Sequence, residues 1–417
     1  VQETEKEHED ILEQADETDA MFGELYSWYL RNPEYRNRVQ KLVQSAFAGK
    51  PEDIISQSVA KALYGEVSPY SATRLERFAA CAFAHFLQYG MKLTERVEYE
   101  FKPMDMGNVM HEALESFAEE VRKRGMKWTE LTEQERNEIA DRCLDNIVAD
   151  YGNTVLKSSA RNEYMIERTR RILRRTVWAL QKQLEQGEFQ PEGFEVTFGG
   201  GRIDRVDIME DQNKVYVKVI DYKTGNTSFD LVYLYHGLQL QLMIYLDGAL
   251  RVEQKKYPDK EIIPAGVFYY NIKDPMIQEK IDADVEAVSA GLMKELKMNG
   301  LVQADPELVY RMDSSLGSIP VAFNKDGSFR KNSSVADRTQ FAVLGRYVRT
   351  KIEKIRSSIL EGDAEVSPYE LGKKNACTYC PYMTVCGFDR RLSGYEFRRL
   401  KNFSDEELWK AFDREAE

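Results

Sequence analysis

The chain predicts an α/β fold, a mixed sheet flanked by helices in the order αβββαβ. Three observations carry this expectation. Apolar residues recur at three- and four-residue spacing after Gly107, the period drops to two over three consecutive segments near 192–222, and a helix and one more strand follow. Such an order belongs to a sheet with helices on its faces.

Taken in order, residues 1–65 read as a helical, charged segment, a remnant of a preceding domain. The first residue is Val rather than Met, so the sequence is expected to be a piece of something longer. Ser68-Pro69-Tyr70-Ser71 is the expected boundary, with Ser71 capping a helix that runs through Cys81 and Phe86. Residues 66–417 then form a second domain with its core at about 105–275. Residues 96–101 alternate like a strand. Gly107 opens a helix whose apolar face is Met110, Leu114, Phe117, Ala118 and Val121. A large helical insertion at about 125–190 continues as two charged helices over 132–187. Strands are expected at 192–198, 202–209 and 214–222, with Gly199-Gly200-Gly201 and Asp211-Gln212-Asn213 as turns. A helix at about 236–252 and a strand at 262–271 complete the core. Residues 280–361 read as mainly helical, with a turn-rich insert near Asn324-Lys325-Asp326-Gly327. No internal repeat is evident.

With 417 residues, 42% hydrophobic and 31% charged, the chain has material for a sizeable core. No apolar run approaches the ~18 residues of a membrane-spanning helix. No signal peptide opens it, and a cytoplasmic setting is expected. Of the net charge of −12, residues 1–20 carry −8 through nine acids and one lysine, leaving −4 for the remainder. The body is therefore nearly balanced, and the overall charge does not exclude a nucleic-acid partner.

Val219-Ile220-Asp221-Tyr222-Lys223 is an apolar strand ending in Asp-x-Lys, which sends a carboxylate and an ammonium to one face. Asp204, on the preceding strand, can share a divalent cation with Asp221, and hard oxygen ligands suit Mg²⁺ or Mn²⁺. That is the minimum apparatus for metal-assisted phosphodiester cleavage, with Lys223 orienting water or stabilising developing charge. The bare triplet is common in a chain with 70 acids and 58 Lys and Arg, so its neighbours must decide. His111 and Glu115, four apart, share one helix face, and His111 is a candidate ligand from the adjoining helix. Gln241 and Tyr245, also four apart, can hold Lys223 and touch a phosphate.

Cys377-x-x-Cys380-x5-Cys386 is a metal-binding spacing one ligand short, with Cys81 or Cys143 to supply the fourth. Spacing alone does not separate zinc from an iron–sulfur cluster. Arg168, Arg171 and Arg175 fall on one helix face and are candidate DNA-phosphate contacts, although a solvated face is commoner. Arg390, Arg391, Arg398, Arg399 and Lys401 invite the same two readings. No GxxxxGK[ST] loop is present, so no ATPase of that type is expected.

Gly107-x3-His111, Gly201-Arg202-Ile203-Asp204-Arg205-Val206-Asp207, Val219-Ile220-Asp221-Tyr222-Lys223 and Gln241-x3-Tyr245 together resemble the RecB-type branch of the PD-(D/E)XK nuclease superfamily. Ile203 stands where the superfamily has Pro, as is usual in this branch. The resemblance implies a restriction-endonuclease-like core with Asp204, Asp221, Lys223, Gln241 and Tyr245 catalytic. It also implies that His111, Asp204, Asp221 and the Tyr222 backbone carbonyl hold Mg²⁺. Ser71 through Phe83 and Ala376 through Cys386 narrow it to the AddB family, B subunits of bacterial ATP-dependent helicase–nucleases that process double-strand breaks for recombinational repair. In that family one Cys before the core and three after it bind a [4Fe–4S] cluster, which carries over to Cys81, Cys377, Cys380 and Cys386. Ala82 stands where the family often has Pro, and Cys143 has no counterpart and is expected to be a buried thiol. The resemblance spans roughly residues 66–400. It implies a Mg²⁺-dependent exonuclease cutting one strand, DNA as substrate and a helicase–nuclease A subunit as partner. The alternatives are a free-standing RecB-like iron–sulfur exonuclease and a non-catalytic DNA-end-binding scaffold. The long helical segments disfavour the first, and retention of Asp204, Asp221 and Lys223 disfavours the second.

Overall fold

The computed structural model describes residues 19–47, 54–65, 71–94, 103–150, 159–199, 201–277, 284–392 and 394–416. The boundary expected at Ser68-Pro69-Tyr70, the strand expected at 96–101 and the middle of the Gly199-Gly200-Gly201 turn lie outside these residues. Two compact units emerge, one of residues 1–53 with 387–396, the other of Ile54–Cys386 with Phe397–Glu417. In the first, helices α1 (residues 19–31) and α2 (Pro33–Phe47) bring the Trp28, Tyr29 and Tyr35 rings together.

In the second unit, α3 (Gln57–Tyr64) and α4 (Ala72–Ala80) precede the core. Ser71 caps α4 by accepting from the Arg74 N–H, as its sequence position predicts. The expected continuous helix through Phe86 is instead broken at Cys81. Its backbone is extended (φ −166°, ψ 117°), and the chain restarts as the short α5 (Ala82–His85) and a π-turn at Phe86–Gly90. Phe83 N–H donates to Glu365 O across the break, so a tertiary contact replaces the helical ladder there.

Helix α6 spans Pro103–Lys123, so Gly107 lies within it rather than opening it. Pro103 suits a first turn, where its missing N–H costs nothing. The two charged helices follow as α7 (Glu133–Asp150) and α8 (Ala160–Glu185). Strands β1 (Gln190–Phe198), β2 (Gly201–Asp211) and β3 (Lys214–Lys223) form an antiparallel meander. The single helix expected at 236–252 is two, α9 (Leu231–Tyr235) and α10 (Gln241–Lys256). Gly237, at φ +78°, takes a left-handed conformation that ends the first, and Gln239 therefore lies between them. Strand β4 (Glu261–Asn271) returns parallel to β3, as a crossover through helices requires.

The stretch 280–361 is less helical than its composition suggests. After α11 (Val285–Glu295), strand β5 (Asn299–Gln303) pairs with β4, followed by α12 (Pro306–Met312), the short β6 (Val335–Ala336) and α13 (Arg338–Glu361). The main sheet thus has six strands in sequential order. A small sheet of β7 (Tyr369–Leu371), β8 (Lys374–Asn375) and β9 (Arg398–Arg399), the short α14 (Met383–Cys386) and helix α15 (Asp405–Ala416) complete this unit.

Two buried cores sandwich the main sheet. Tyr216, Ile220 and Tyr222 of β3 face the core of α6, α7 and α8, while Val215, Val217 and Val219 face that of α10 and α13. This period-2 partition fixes the register of every functional side chain on β3.

Candidate active site

The C-terminal end of β3 and the start of β2 lie side by side. Tyr222 N–H donates to Asp204 Oδ2 at 2.7 Å, locking the two strands where their carboxylates meet. Helix α6 brings His111 to the same point. Its Nε2 donates to the Tyr222 carbonyl at 3.1 Å, and Nδ1 stands 3.4 Å from Asp204 Oδ2. Of the groups expected to face one cation, His111, Asp204 and the Tyr222 carbonyl are therefore brought together, while Asp221 acts on His111 and Asp204 as a neighbouring charge and lies outside their 4.8 Å ligand group.

Glu195 joins them and was not foreseen. Phe194 pairs with Arg205 and Val196 with Ile203, which sets Glu195 opposite Asp204 across the ladder. Its Oε1 is 3.6 Å from His111 Nδ1, and its other oxygen pairs with Arg202. Donor atoms of His111, Glu195 and Asp204 all lie within 4.8 Å of one another, a span that one cation can bridge. Glu195 sits at φ +49°, in left-handed backbone space that a side-chain-bearing residue in a strand rarely takes. Strain of this kind persists where the surroundings over-determine a conformation, commonly at functional sites. Cross-strand register is not written in the residues around Glu195, so nothing local marked it.

Burial, and then the neighbouring Asp221 carboxylate, push Asp204 up to about 7. Burial also raises Asp221, although Lys223 opposes it. For His111, burial acts to lower the pKa, but the Glu195 hydrogen bond and the Asp204, Glu195 and Asp221 charges outweigh it and raise it. A buried Asp204 carboxyl that clings to its proton, beside further carboxylates and an imidazole, fits a divalent metal that would take the proton's place.

Lys223 points from β3 to the same side as Asp221, its Nζ 2.7 Å from Asp221 Oδ2. Nζ also donates to Gln241 Oε1 at 2.8 Å, and Gln241 Nε2 donates to the Tyr245 hydroxyl at 2.9 Å. Four of the five residues expected to be catalytic, Asp221, Lys223, Gln241 and Tyr245, thus form one connected set, and Asp204 is tied to the same strand end by the Tyr222 N–H. A second unforeseen residue anchors it. Glu76 Oε1 accepts from the Leu240 and Gln241 N–H groups at 2.7 and 2.9 Å. Burial raises Glu76 to about 7. It lies inside the Ser71–Phe83 segment, whose sequence directed attention only to its cysteine.

On the opposite face of the same strands, Asp207 accepts from Arg205 at 2.5 and 2.9 Å and pairs with Lys218 at 2.9 Å. Arg205 stacks over the Trp128 and Phe194 rings, and Lys218 over Phe189. Burial would raise Asp207, but the two cations outweigh it and hold it below its ordinary value.

The four cysteines expected to act together influence one another. Burial, followed by the Cys81, Cys380 and Cys386 thiols, pushes Cys377 up to about 12. Cys380 N–H donates to the Cys377 carbonyl at 3.1 Å, a tight turn between the two. Tyr382 packs with Cys81 and Leu87, and its hydroxyl donates to Leu93 O at 3.0 Å. A Cys377 thiol raised by burial and by its three cysteine neighbours fits a thiolate-held metal or cluster, whose positive charge would release that repulsion. Cys143 is buried elsewhere, within the α6–α8 core.

The arginine face expected on α8 is largely engaged. Arg171 pairs with Asp274 at 2.6 Å and Arg175 lies over the Trp178 ring, while Arg168 is exposed. Beyond the cysteines, Arg391 pairs with Asp389 and Arg398 donates to Ala79 O.

Comparison with known proteins agrees with this geometry. The family model of the PD-(D/E)XK nuclease superfamily matches residues 69–387. The chain is similar to the ATP-dependent helicase/deoxyribonuclease B subunit of Lachnoclostridium phytofermentans, 41% identical over 421 residues, covering 95% of the chain and 36% of that relative. The protein of the same name from Thermoanaerobacter sp. (strain X514) is 34% identical over 425 residues, covering 96% and 37%. That of Clostridium acetobutylicum is 33% identical over 423 residues, covering 96% and 36%. The chain thus spans little more than a third of the length of these relatives.

Proposed function

The chain belongs to the PD-(D/E)XK nuclease superfamily, and from that premise we propose that it cleaves DNA phosphodiester bonds with a divalent cation, Mg²⁺ or Mn²⁺, held by His111, Asp204, Asp221, Glu195 and the Tyr222 carbonyl. One observation carries the reading. The Glu195 and Asp204 carboxylates and the His111 imidazole converge within reach of a single ion, while Lys223 Nζ stands 2.7 Å from Asp221 on the adjoining strand.

A cation bound there polarises a phosphoryl oxygen and lowers the pKa of a water. The protein's own groups do the rest. Asp204 and His111 surrender protons as the site fills, which makes binding favour higher pH. Lys223, fixed by Gln241, presents an ammonium to the charge that develops on phosphorus oxygens. Tyr245 holds Gln241 in the rotamer this needs. The Tyr222 N–H keeps Asp204 turned inward.

Similarity to the helicase/deoxyribonuclease B subunits supports the finer reading. In it, this module works as an exonuclease on one strand, fed by a helicase–nuclease A subunit during processing of double-strand breaks. Cys81, Cys377, Cys380 and Cys386 would then hold a [4Fe–4S] cluster that staples the segments on either side of the core. Iron and sulfide analysis with a broad visible absorption supports the cluster. A colourless, zinc-containing protein contradicts it.

The nuclease reading is tested on end-labelled single- and double-stranded DNA with Mg²⁺. Asp221→Asn is expected to abolish digestion, and Lys223→Ala to slow it by about 10²–10³-fold, both with wild-type circular dichroism. Digestion by both variants at the wild-type rate would falsify the assignment.

A further inference from the structure

We propose that Glu76 is the positioning residue through which helix α4, which ends at Cys81, sets the ammonium of Lys223. The proposal rests on the nuclease reading of Lys223 and goes beyond it by naming what holds that lysine in place.

Helix α10 begins without a cap of its own. Leu240 occupies the N-cap position and offers no side-chain acceptor, so the first N–H groups would be orphaned. The acceptor comes from Glu76, 164 residues earlier, whose Oε1 takes two of them. A local Ser or Asp at 240 would instead have taken the N–H of Leu242 or Met243. Capping from another helix adds something a local cap does not: it fixes where α10 starts relative to α4.

What starts at that point is Gln241. Glu76 holds its backbone N–H, and its side chain spans from Lys223 Nζ to the Tyr245 hydroxyl. With the backbone end and the amide end both tied, Gln241 has little freedom, and Lys223 inherits its position. Without Glu76 the helix start can fray, and Gln241 loses one of its two anchors.

The other end of the connection is the cysteine region. Glu76 stands five residues before Cys81 on a nine-residue helix, roughly 7.5 Å along its axis. The adjacent Arg77 lies over the ring of Tyr382, 5.6 Å from its centroid, between Cys380 and Cys386 in sequence. Neighbouring residues of α4 therefore contact the lysine's support and the cysteine segment. A displacement of α4 at Cys81 is carried to the N-terminus of α10.

The test uses the full chain with Glu76→Ala and Glu76→Gln. The glutamine keeps a carbonyl oxygen for the two N–H groups. Hydrogen exchange of the Leu240 and Gln241 amides is measured alongside Mg²⁺-dependent DNA digestion and iron content. In Glu76→Ala, exchange at those amides is expected to quicken about tenfold or more. Its kcat is expected to fall about 100-fold with KM for DNA little changed, the signature of a misplaced group. Iron content stays at the wild-type level, and Glu76→Gln recovers to within about threefold of wild type in both readouts. Wild-type exchange at Leu240 and Gln241 in Glu76→Ala, or equal loss of activity in the alanine and glutamine variants, overturns the proposal. A wild type that does not cut DNA overturns the nuclease reading and this proposal with it. A wild type that cuts no faster than Glu76→Ala overturns this proposal alone.

Discussion

Asp204 and Asp207 stand three residues apart on one strand, and their surroundings are opposites. Strand alternation turns them to different faces. Asp207 meets two cations, Arg205 and Lys218, and is held below its ordinary pKa. Asp204 meets Asp221, Glu195 and His111 but no Arg or Lys among the described residues, and it is pushed up to about 7, with burial the largest cause and His111 only partly opposing it. One carboxylate is neutralised from within, and the other is left for something that arrives from outside. A frame needs its charges paired, because an unpaired buried ion costs more than the fold can spare. A metal site needs the reverse, because a carboxylate already satisfied by Arg and Lys has nothing left to give a cation.

The contrast can be broken most heavily on the frame side. Asp207→Ala leaves Arg205 and Lys218 buried without a counter-charge, and about 3–5 kcal/mol of stability is expected to disappear. Urea denaturation reads it directly. A midpoint within error of wild type would mean that the buried trio is not a frame.

A smaller effect concerns pH. Glu76 is raised from 4.5 to about 7, chiefly by burial. Between those values the folded chain holds a proton that the unfolded chain has released, so stability falls as pH rises across that window. Glu76→Gln is expected to remove that part of the slope, on the order of 2 kcal/mol between pH 4.5 and 7. Melting of both proteins at pH 5 and pH 7.5 checks it, and parallel pH profiles would count against the assignment.

The smallest change in stability should come from Glu195. Glycine accepts φ +49° without strain, so Glu195→Gly is expected to leave stability unchanged or raise it by up to about 1 kcal/mol. Mn²⁺ affinity is expected to weaken about tenfold in the same variant. Loss of stability with unaltered Mn²⁺ binding would make Glu195 a structural residue only.

Much of this was legible in the sequence. The strands at 192–198, 202–209 and 214–222 show their period of two, and Asp204, Asp221 and Lys223 fall on them as expected. His111, Gln241 and Tyr245 were readable because motif spacing and helical spacing agree there. What escaped depends on the partner strand or partner helix. Glu195 acquires its meaning from the β1–β2 register, and Glu76 from a helix start 164 residues later. The break at Cys81 was hidden because the Ala and Phe residues around it are compatible with a continuous helix, whereas the Phe83 N–H finds its partner in Glu365 O, far away in sequence. The opening of α6 at Pro103 was misplaced by four residues because the apolar periodicity starts later than the helix itself.

Asp204, which among the described residues pairs with His111 but with no Arg or Lys, is left open to a cation. Titration calorimetry of wild type and Asp204→Asn with Mn²⁺, at pH 6 and pH 8, tests it most directly. Wild type is expected to bind more tightly at pH 8, and Asp204→Asn to lose at least about tenfold in affinity with its pH dependence flattened. Equal Mn²⁺ affinity in the two proteins at both pH values would contradict it.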